Sequence, residues 1–287
     1  MNCPICRSIR TKLFHNRVWS MENASVYQCE ECRLTFLFPV MTEEEEKIFY
    51  QNYNAHAERR GVVTHPNPEE LHQKSKPVAI ERFDQIKHFF ENISSVLEIG
   101  PSTGAFLELL SNKKRFAVEL TKDNRRFCSR FCEKTFEDIS NVDGSMKFDL
   151  ICMFHVFEHI RNPFDFLGKL KKHMNQNSRI IVEVPNIEDP LISLYNCQAY
   201  KDFYFQPMHP FVYNLDSLSF VFKNCGFRKE EAIFYQRYGL DNHLAWLAKG
   251  RPGGDPLYHR LFANDEIYKN VLKKNEKTDT LFFIATI

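Results

Sequence analysis

At 287 residues, with 43% hydrophobic and 14% aromatic residues, the chain can bury one full α/β domain plus a small appendage, which excludes global disorder. Its 38 basic and 37 acidic residues leave a formal charge of +1, so no strong overall footprint for a polyanion is present and nucleic acid is disfavoured as a partner. No apolar run approaches the roughly 20 residues that cross a bilayer, MNCPICRSIR is no secretory signal, and nine cysteines without one point to a reducing, cytoplasmic setting.

Cys3 and Cys6, then Cys29 and Cys32, form two C-x-x-C pairs. Each pair curls a tight turn that aims two sulfurs at one place, and two such turns supply the four thiolates of a closed tetrahedral site. Residues 12–21 and 25–28 suit a short hairpin between them. A redox role is secondary, because no thioredoxin-like βαβ pattern flanks either pair. The arrangement resembles a zinc ribbon over residues 1–40, with a structural zinc.

Residues 41–92 read as a helical connector. Thr42-Glu43-Glu44-Glu45 is a capping box with acidic residues at the positive end of the helix dipole. The helix is expected to reach about residue 54 and to bury Ile48, Phe49 and Tyr53. Residues 61–77 carry three prolines and read as a loop or lid. From residue 78 the spacing of Ile80, Phe83, Ile86 and Phe90 predicts one helix face ending near residue 92.

Residues 93–287 carry an α/β pattern. SVLEIG at 95–100 predicts a buried strand that runs into Pro101-Ser102-Thr103-Gly104 and a helix bearing Phe106, Leu107 and Leu110. A strand, a glycine turn and a helix start set backbone N–H groups over a ligand. Strands at 115–120, 148–154 and 179–184, with helices at 122–133 and 163–174, give the rhythm of an open, mostly parallel sheet. A nicotinamide-type G-x-G-x-x-G is broken at Ser102 and Ala105. A hydrolase G-x-S-x-G is matched by Gly100 to Gly104, without an HGGG-type oxyanion loop upstream. Glu119, nineteen residues beyond Gly100, suits a nucleoside whose ribose hydroxyls it would accept from.

VLEIGPSTGAFLELL, VEL, FDLICMFHVFEHIRNPFDFL and RIIVEVPN, in that order over most of residues 78–240, resemble the class I S-adenosylmethionine-dependent methyltransferases. The resemblance implies a Rossmann-like, mostly parallel sheet with an antiparallel last strand, and S-adenosylmethionine as cofactor. It implies that Glu98, Gly100, Ser102 and Gly104 frame the methionine part, with Ser102 where the family often has glycine. Glu119 would hold the ribose, Glu137 and Asp138 would meet the adenine, and Phe154 and His155 would border the sulfonium and the acceptor. HVFEH, the N-P helix start and EVPN are similar to the subgroup that methylates small molecules and sugars.

Residues 195–213 are rich in aromatics and stand where a parallel fold varies its substrate loop. Methyl transfer to an alcohol needs a proton removed as the oxygen attacks, a task suited to histidine. QPMHPFVYNLDSL resembles the Y-x-E-H-F-x-x-F stretch of deoxysugar C-methyltransferases, and His209 falls on its catalytic histidine. Gln206 and Met208 replace that motif's tyrosine and glutamate. His155 and His159 are the secondary catalytic candidates, and Tyr204 is a further hydroxyl.

A helix at 214–224 stopped by Gly226, a strand at 227–236 and a last strand at 280–287 complete the expected sheet. An insert at about 240–275 holds helices near 242–249 and 257–273. RYGLDNHLAWL in it resembles a stretch in surface-polysaccharide methyltransferases, and its aromatics suit either an acceptor cover or a homodimer face. The related sugar C-methyltransferases add a C-terminal domain beyond this length. The expectation is therefore oxygen methylation of a sugar or nucleotide-linked sugar in carbohydrate biosynthesis. The main rival is an RNA or protein methyltransferase gripping its substrate through Arg7, Arg10, Lys12, Arg17 and Arg33, against which the near-zero charge argues. A scaffold that has lost its chemistry is disfavoured by the intact Glu98, Gly100, Gly104 and Glu119.

Overall fold

The computed structural model describes residues 1–51, 67–262 and 264–287. The chain opens with β1 (Thr11–His15), β2 (Ser25–Cys29) and β3 (Thr35–Phe38), then α1 (Glu43–Gln51) and α2 (Pro68–Ile86). Next come β4 (Ser95–Ile99), α3 (Ala105–Glu108), β5 (Lys114–Val118), α4 (Lys122–Cys128), β6 (Lys134–Phe136), β7 (Phe148–Phe154), α5 (Pro163–Lys171) and β8 (Met174–Pro185). They are followed by α6 (Pro190–Ser193), α7 (Gln198–Tyr204), β9 (Phe211–Val212), α8 (Leu215–Asn224) and β10 (Arg228–Tyr235). The last elements are α9 (Leu240–Lys249), α10 (Pro256–Phe262), α11 (Glu266–Lys274) and β11 (Thr280–Thr286).

Seven strands form one sheet in the order β10-β11-β8-β7-β4-β5-β6. Strands β4 through β8 pair in parallel, and β11 runs antiparallel to both its neighbours. Alternate residues serve two cores: Leu97, Ile151, Val182 and Phe283 belong to one, Val96, Leu150, Ile181 and Phe282 to the other. That is why apolar residues stand next to one another in the centres of these strands, as a sheet covered on both faces requires. Each such side chain contributes about 1.5–3 kcal/mol by leaving water. The order reverses between β4 and β7, so the ligand crevice lies at their carboxyl ends.

A second sheet has the order β1-β2-β3-β9. Its fourth strand comes from the far end of the sequence: Phe36 pairs with Phe211 and Thr35 with Val212. The next residue, Tyr213, forms a parallel bridge with Asn186 at the end of β8. The segment 211–213 therefore ties the small cysteine-bearing sheet to the large one, and Cys3, Phe36, Tyr213 and Phe283 share one buried cluster.

Several local expectations are corrected. Residues 68–77 are helical, because Asn67 accepts the Glu69 N–H at 2.9 Å and Pro68 occupies the first helical turn, where its missing N–H costs nothing. Pro77 lies inside α2, and residues 61–66 of the expected loop, with Tyr53, lie outside the described residues. Ile48 and Ile80 point outward, while Ala79 and Ile86 supply the buried face of α2. Helix α2 stops at Ile86 and gives way to a 3-10 turn at Lys87–Phe90. The expected helices at 122–133 and 163–174 stop at Cys128 and Lys171, and that at 257–273 is split into α10 and α11. The capping box is present: Thr42 Oγ1 accepts from Glu45 N at 3.2 Å, and the Glu45 carboxylate accepts from Thr42 N at 2.6 Å.

Candidate functional site

The turn after β4 is built on left-handed backbone. Gly100, Ser102 and Gly104 have φ of 69°, 53° and 81°. A Cβ at Gly100 would lie 2.6 Å from Val156 Cγ2, and one at Gly104 2.8 Å from Cys128 Sγ, so both positions demand glycine by space as well as by conformation. Ser102 adopts the same region at a cost of about 1–2 kcal/mol. Its hydroxyl lies 3.4 Å from Asn124 Nδ2, and His72 approaches the neighbouring Thr103 hydroxyl at 3.2 Å. No histidine reaches Ser102 among the described hydrogen bonds, which leaves the hydrolase motif without its base.

Glu119 lies just past β5 and is buried. Its two carboxylate oxygens accept Ser102 N at 2.9 Å and Thr121 N at 2.8 Å, which leaves lone pairs for further donors. Burial pushes its carboxyl up, with those two backbone donors opposing. Glu98 is buried on β4, and its Oε2 has no hydrogen-bond partner among the described residues. Burial, aided by Glu119 and Glu183 and opposed by Arg82, raises its carboxyl to about 8. An orphaned acid beside a glycine turn with no room for a Cβ fits a ligand carrying ammonium and hydroxyl donors, as S-adenosylmethionine does.

Glu137 and Asp138 are exposed beyond β6. Glu137 pairs with Arg125 at 3.1 Å, and the same guanidinium donates to the Leu120 carbonyl at 2.9 Å. Asp138 is occupied in capping a short turn, accepting Ser140 N at 2.9 Å. Phe154 is packed between Phe106, 4.6 Å away, and the Arg82 guanidinium, 4.4 Å over its ring.

His155 has φ of 55°, and its Nε2 lies 3.1 Å from Glu183, which also pairs with Arg82. Its Nδ1 is 3.4 Å from Glu158, and the Arg237 guanidinium is 3.2 Å from Nε2. Burial opposes its charge, but Glu183 and Glu158 together raise the imidazole to about 9. Such a group is a poor general base at neutral pH and a good fixed cation. Arg82, Glu183 and Arg237 did not stand out in the sequence. The one local signal was Glu183 in the EVPN run, opposite Phe154 in the β7–β8 register.

His159 and His209, fifty residues apart, meet with ring centroids 4.7 Å apart at 76°. His159 Nδ1 lies 2.7 Å from the Met208 carbonyl, and Gln206 Nε2 lies 3.4 Å from the His209 ring nitrogens. Tyr204 is half-buried nearer the ribbon, against Phe205 and Tyr200.

Cys3, Cys6, Cys29 and Cys32 bring their sulfurs within 4.8 Å of one another. Cys3 and Cys32 are 3.6 Å apart, Cys6 and Cys29 3.4 Å. Zinc with bonds of about 2.3 Å sets sulfurs roughly 3.8 Å apart, so the cluster fits that ion. Arg7 and Arg33, each following the second cysteine of its pair, share φ of 64° and 62° and give the two knuckles the same turn.

A seven-stranded sheet of this order, with a glycine cradle and a buried acid at the ends of its first two strands, defines a nucleoside-cofactor methyltransferase architecture. The chain matches the methyltransferase domain family over residues 66–232 and belongs to it. It is an S-adenosylmethionine-dependent methyltransferase. An S-adenosylmethionine-dependent methyltransferase from Archaeoglobus fulgidus superposes with a TM-score of 0.52 at 20% identity, covering 82% of this chain and 99% of that one. A chain from the complex of the Haloferax volcanii Trm112 methyltransferase activator with a methyltransferase gives 0.51 at 10% identity, over 76% and 94%. These two likenesses concern the fold. The mitochondrial ubiquinone biosynthesis O-methyltransferase of Dictyostelium discoideum is 27% identical over 71 residues, which is 25% of this chain and 22% of that protein. The chain thus aligns with about a fifth of that relative. Among the described residues no helix is long and apolar enough to cross a membrane.

Proposed function

We propose that the protein transfers a methyl group to a hydroxyl of a small acceptor, a sugar or nucleotide-linked sugar used in carbohydrate biosynthesis in the cytoplasm. The observation that carries this reading is the meeting of His159 and His209 beyond the carboxyl end of β7, where the crevice opens. S-adenosylmethionine supplies an electrophilic methyl on a sulfonium. Glu98 and Gly100 would hold its methionine part and Glu119 its ribose, with Glu137 and Asp138 toward the adenine. His209 takes the proton as the acceptor oxygen attacks, with His159 beside it and His155 as a fixed charge. The stretch shared with an O-methyltransferase supports oxygen as the accepting atom.

Two features disfavour a macromolecular grip through the ribbon. Arg10 is paired with Glu31 at 2.6 Å, and Arg17 with Asp202 at 2.7 Å, so part of the ribbon's positive charge is neutralised at home. The test is transfer of labelled methyl from S-adenosylmethionine into fractionated extract of the source organism. Label in a small, ribonuclease-resistant, phosphodiesterase-sensitive fraction is expected. Label in a ribonuclease- or protease-sensitive macromolecule overturns the reading.

A further inference from the structure

We propose that Glu158, His159 and His209 form a second metal site, distinct from the cysteine ribbon, for a divalent transition-metal ion that holds the acceptor's oxygen. The inference rests on the reading above for where the acceptor sits, and replaces proton uptake by His209 with ionisation on the metal.

The three side chains each offer one ligand atom, and those atoms lie within 4.8 Å of one another. The independent observation is Glu158. It is 1% exposed, and neither of its carboxylate oxygens has a hydrogen-bond partner among the described residues. Its one described ion pair is with His155 Nδ1 at 3.4 Å. Burying a carboxylate without hydrogen bonds is costly; His155 approaches Oε1 from one side, and Oε2, also without a hydrogen bond, is left for a second cation.

The tautomer of His159 points the same way. Its Nδ1 is 2.7 Å from the Met208 carbonyl, which can only accept, so Nδ1 carries a proton and the lone pair of the neutral ring is on Nε2. A ring nitrogen donating to a backbone carbonyl is how ligating histidines are usually oriented. His209 belongs to the same turn, with its N–H donating to the Gln206 carbonyl at 3.1 Å. Two imidazoles and one carboxylate suit borderline divalent ions and leave coordination positions open.

An acceptor hydroxyl bound at an open position is acidified by the ion. Its proton passes to solvent water, the oxygen forms a bond to the methyl carbon, and the carbon–sulfur bond breaks to leave neutral S-adenosylhomocysteine.

The test titrates Mn2+ into the 287-residue chain, prepared with no more than one zinc per chain for the four cysteines, and counts free Mn2+ by electron paramagnetic resonance. Mn2+ is chosen because thiolates disfavour it. One Mn2+ per chain is expected, with affinity weakened at least tenfold in both Glu158→Gln and His209→Ala. Each variant is checked for retained zinc and retained S-adenosylmethionine binding, and His209→Ala keeps the test informative if the buried Glu158 change fails to fold. No Mn2+ bound, or binding unchanged in His209→Ala, overturns the site. Methyl transfer to a small acceptor without Mn2+ binding removes this inference alone. Mn2+ binding with label entering a macromolecule removes the acceptor reading alone.

Discussion

Glu119 accepts the backbone N–H of Ser102 at 2.9 Å, so the acid at the end of β5 also fixes the glycine turn at the end of β4. The side chain proposed to hold the ribose is therefore a strut of the loop proposed to hold the methionine. Loss of that strut affects both contacts.

Glu119→Ala is expected to weaken S-adenosylmethionine binding about 10- to 100-fold, the equivalent of roughly 1.4–2.8 kcal/mol. Glu119→Gln keeps one acceptor oxygen and should fall between the two. Calorimetric titration with S-adenosylhomocysteine measures this, and wild-type affinity in Glu119→Ala would remove the ribose assignment.

Gly104→Ala places a methyl group 2.8 Å from Cys128 Sγ at a φ of 81°. Backbone strain and collision are separable. Strain alone costs about 1–2 kcal/mol, and the collision adds to it. Adding Cys128→Ala should recover the collision part and leave the strain, so the two substitutions should be non-additive by about 1 kcal/mol or more. Urea unfolding of the four proteins in the cycle checks it; strict additivity would mean that Cys128 moves aside freely.

Most of the large sheet was legible in the sequence because its strands are short apolar runs buried on both faces, and because 148–154 sits between a charged turn and the HVFEH corner. The cysteine pairs were legible from spacing alone. Less was legible where contacts join distant segments. Phe211 and Val212 make a two-residue strand, too short for any periodicity, yet they seat the ribbon on the large sheet. The Arg82–Glu183 pair spans a hundred residues and left no local trace. Residues 68–77 misled because the three prolines of the 61–77 segment outweighed the Asn67 cap, although Pro68 is tolerated in a first turn. In the candidate site, the meeting of His159 with the 206–209 turn followed from the fold class, whereas the orphaned carboxylate of Glu158 required side-chain geometry.

Glu98 predicts how pH acts on this protein. Its carboxyl is raised to about 8, chiefly by burial, from an ordinary value of 4.5. A raised carboxyl is bound to its proton in the folded state and loses it in the unfolded one at neutral pH. Its contribution is therefore fully present below pH 4.5 and is lost as pH rises toward about 8. Thermal stability should fall across that window by an amount on the order of a few kcal/mol, and Glu98→Gln should flatten the fall. If an ammonium group binds beside Glu98, binding should release a proton, seen as a buffer-dependent heat in calorimetry. A wild-type profile identical to that of Glu98→Gln would show that Glu98 is ionised in the free protein.

The ribbon is expected to act on the acceptor side of the site and spare the cofactor side. His15 meets Asp202 at 2.7 Å, Trp19 N donates to the Phe205 carbonyl at 2.8 Å, and Leu37 N donates to the Pro210 carbonyl at 3.0 Å. These contacts bracket His209, while Glu98, Gly100 and Glu119 stand on the first strands of the large sheet. Loosening the ribbon by Cys29→Ser, or breaking one tie by Asp202→Ala, should release the 202–212 segment first. The methyl-transfer rate should drop at least tenfold, with S-adenosylmethionine affinity held within about twofold, since 1.4 kcal/mol of lost positioning is a factor of ten. Steady-state kinetics beside calorimetric cofactor titration measures the split. Equal losses in both would mean that the ribbon supports the whole fold through the shared core, and an unchanged rate would mean that the segment holds its place unaided.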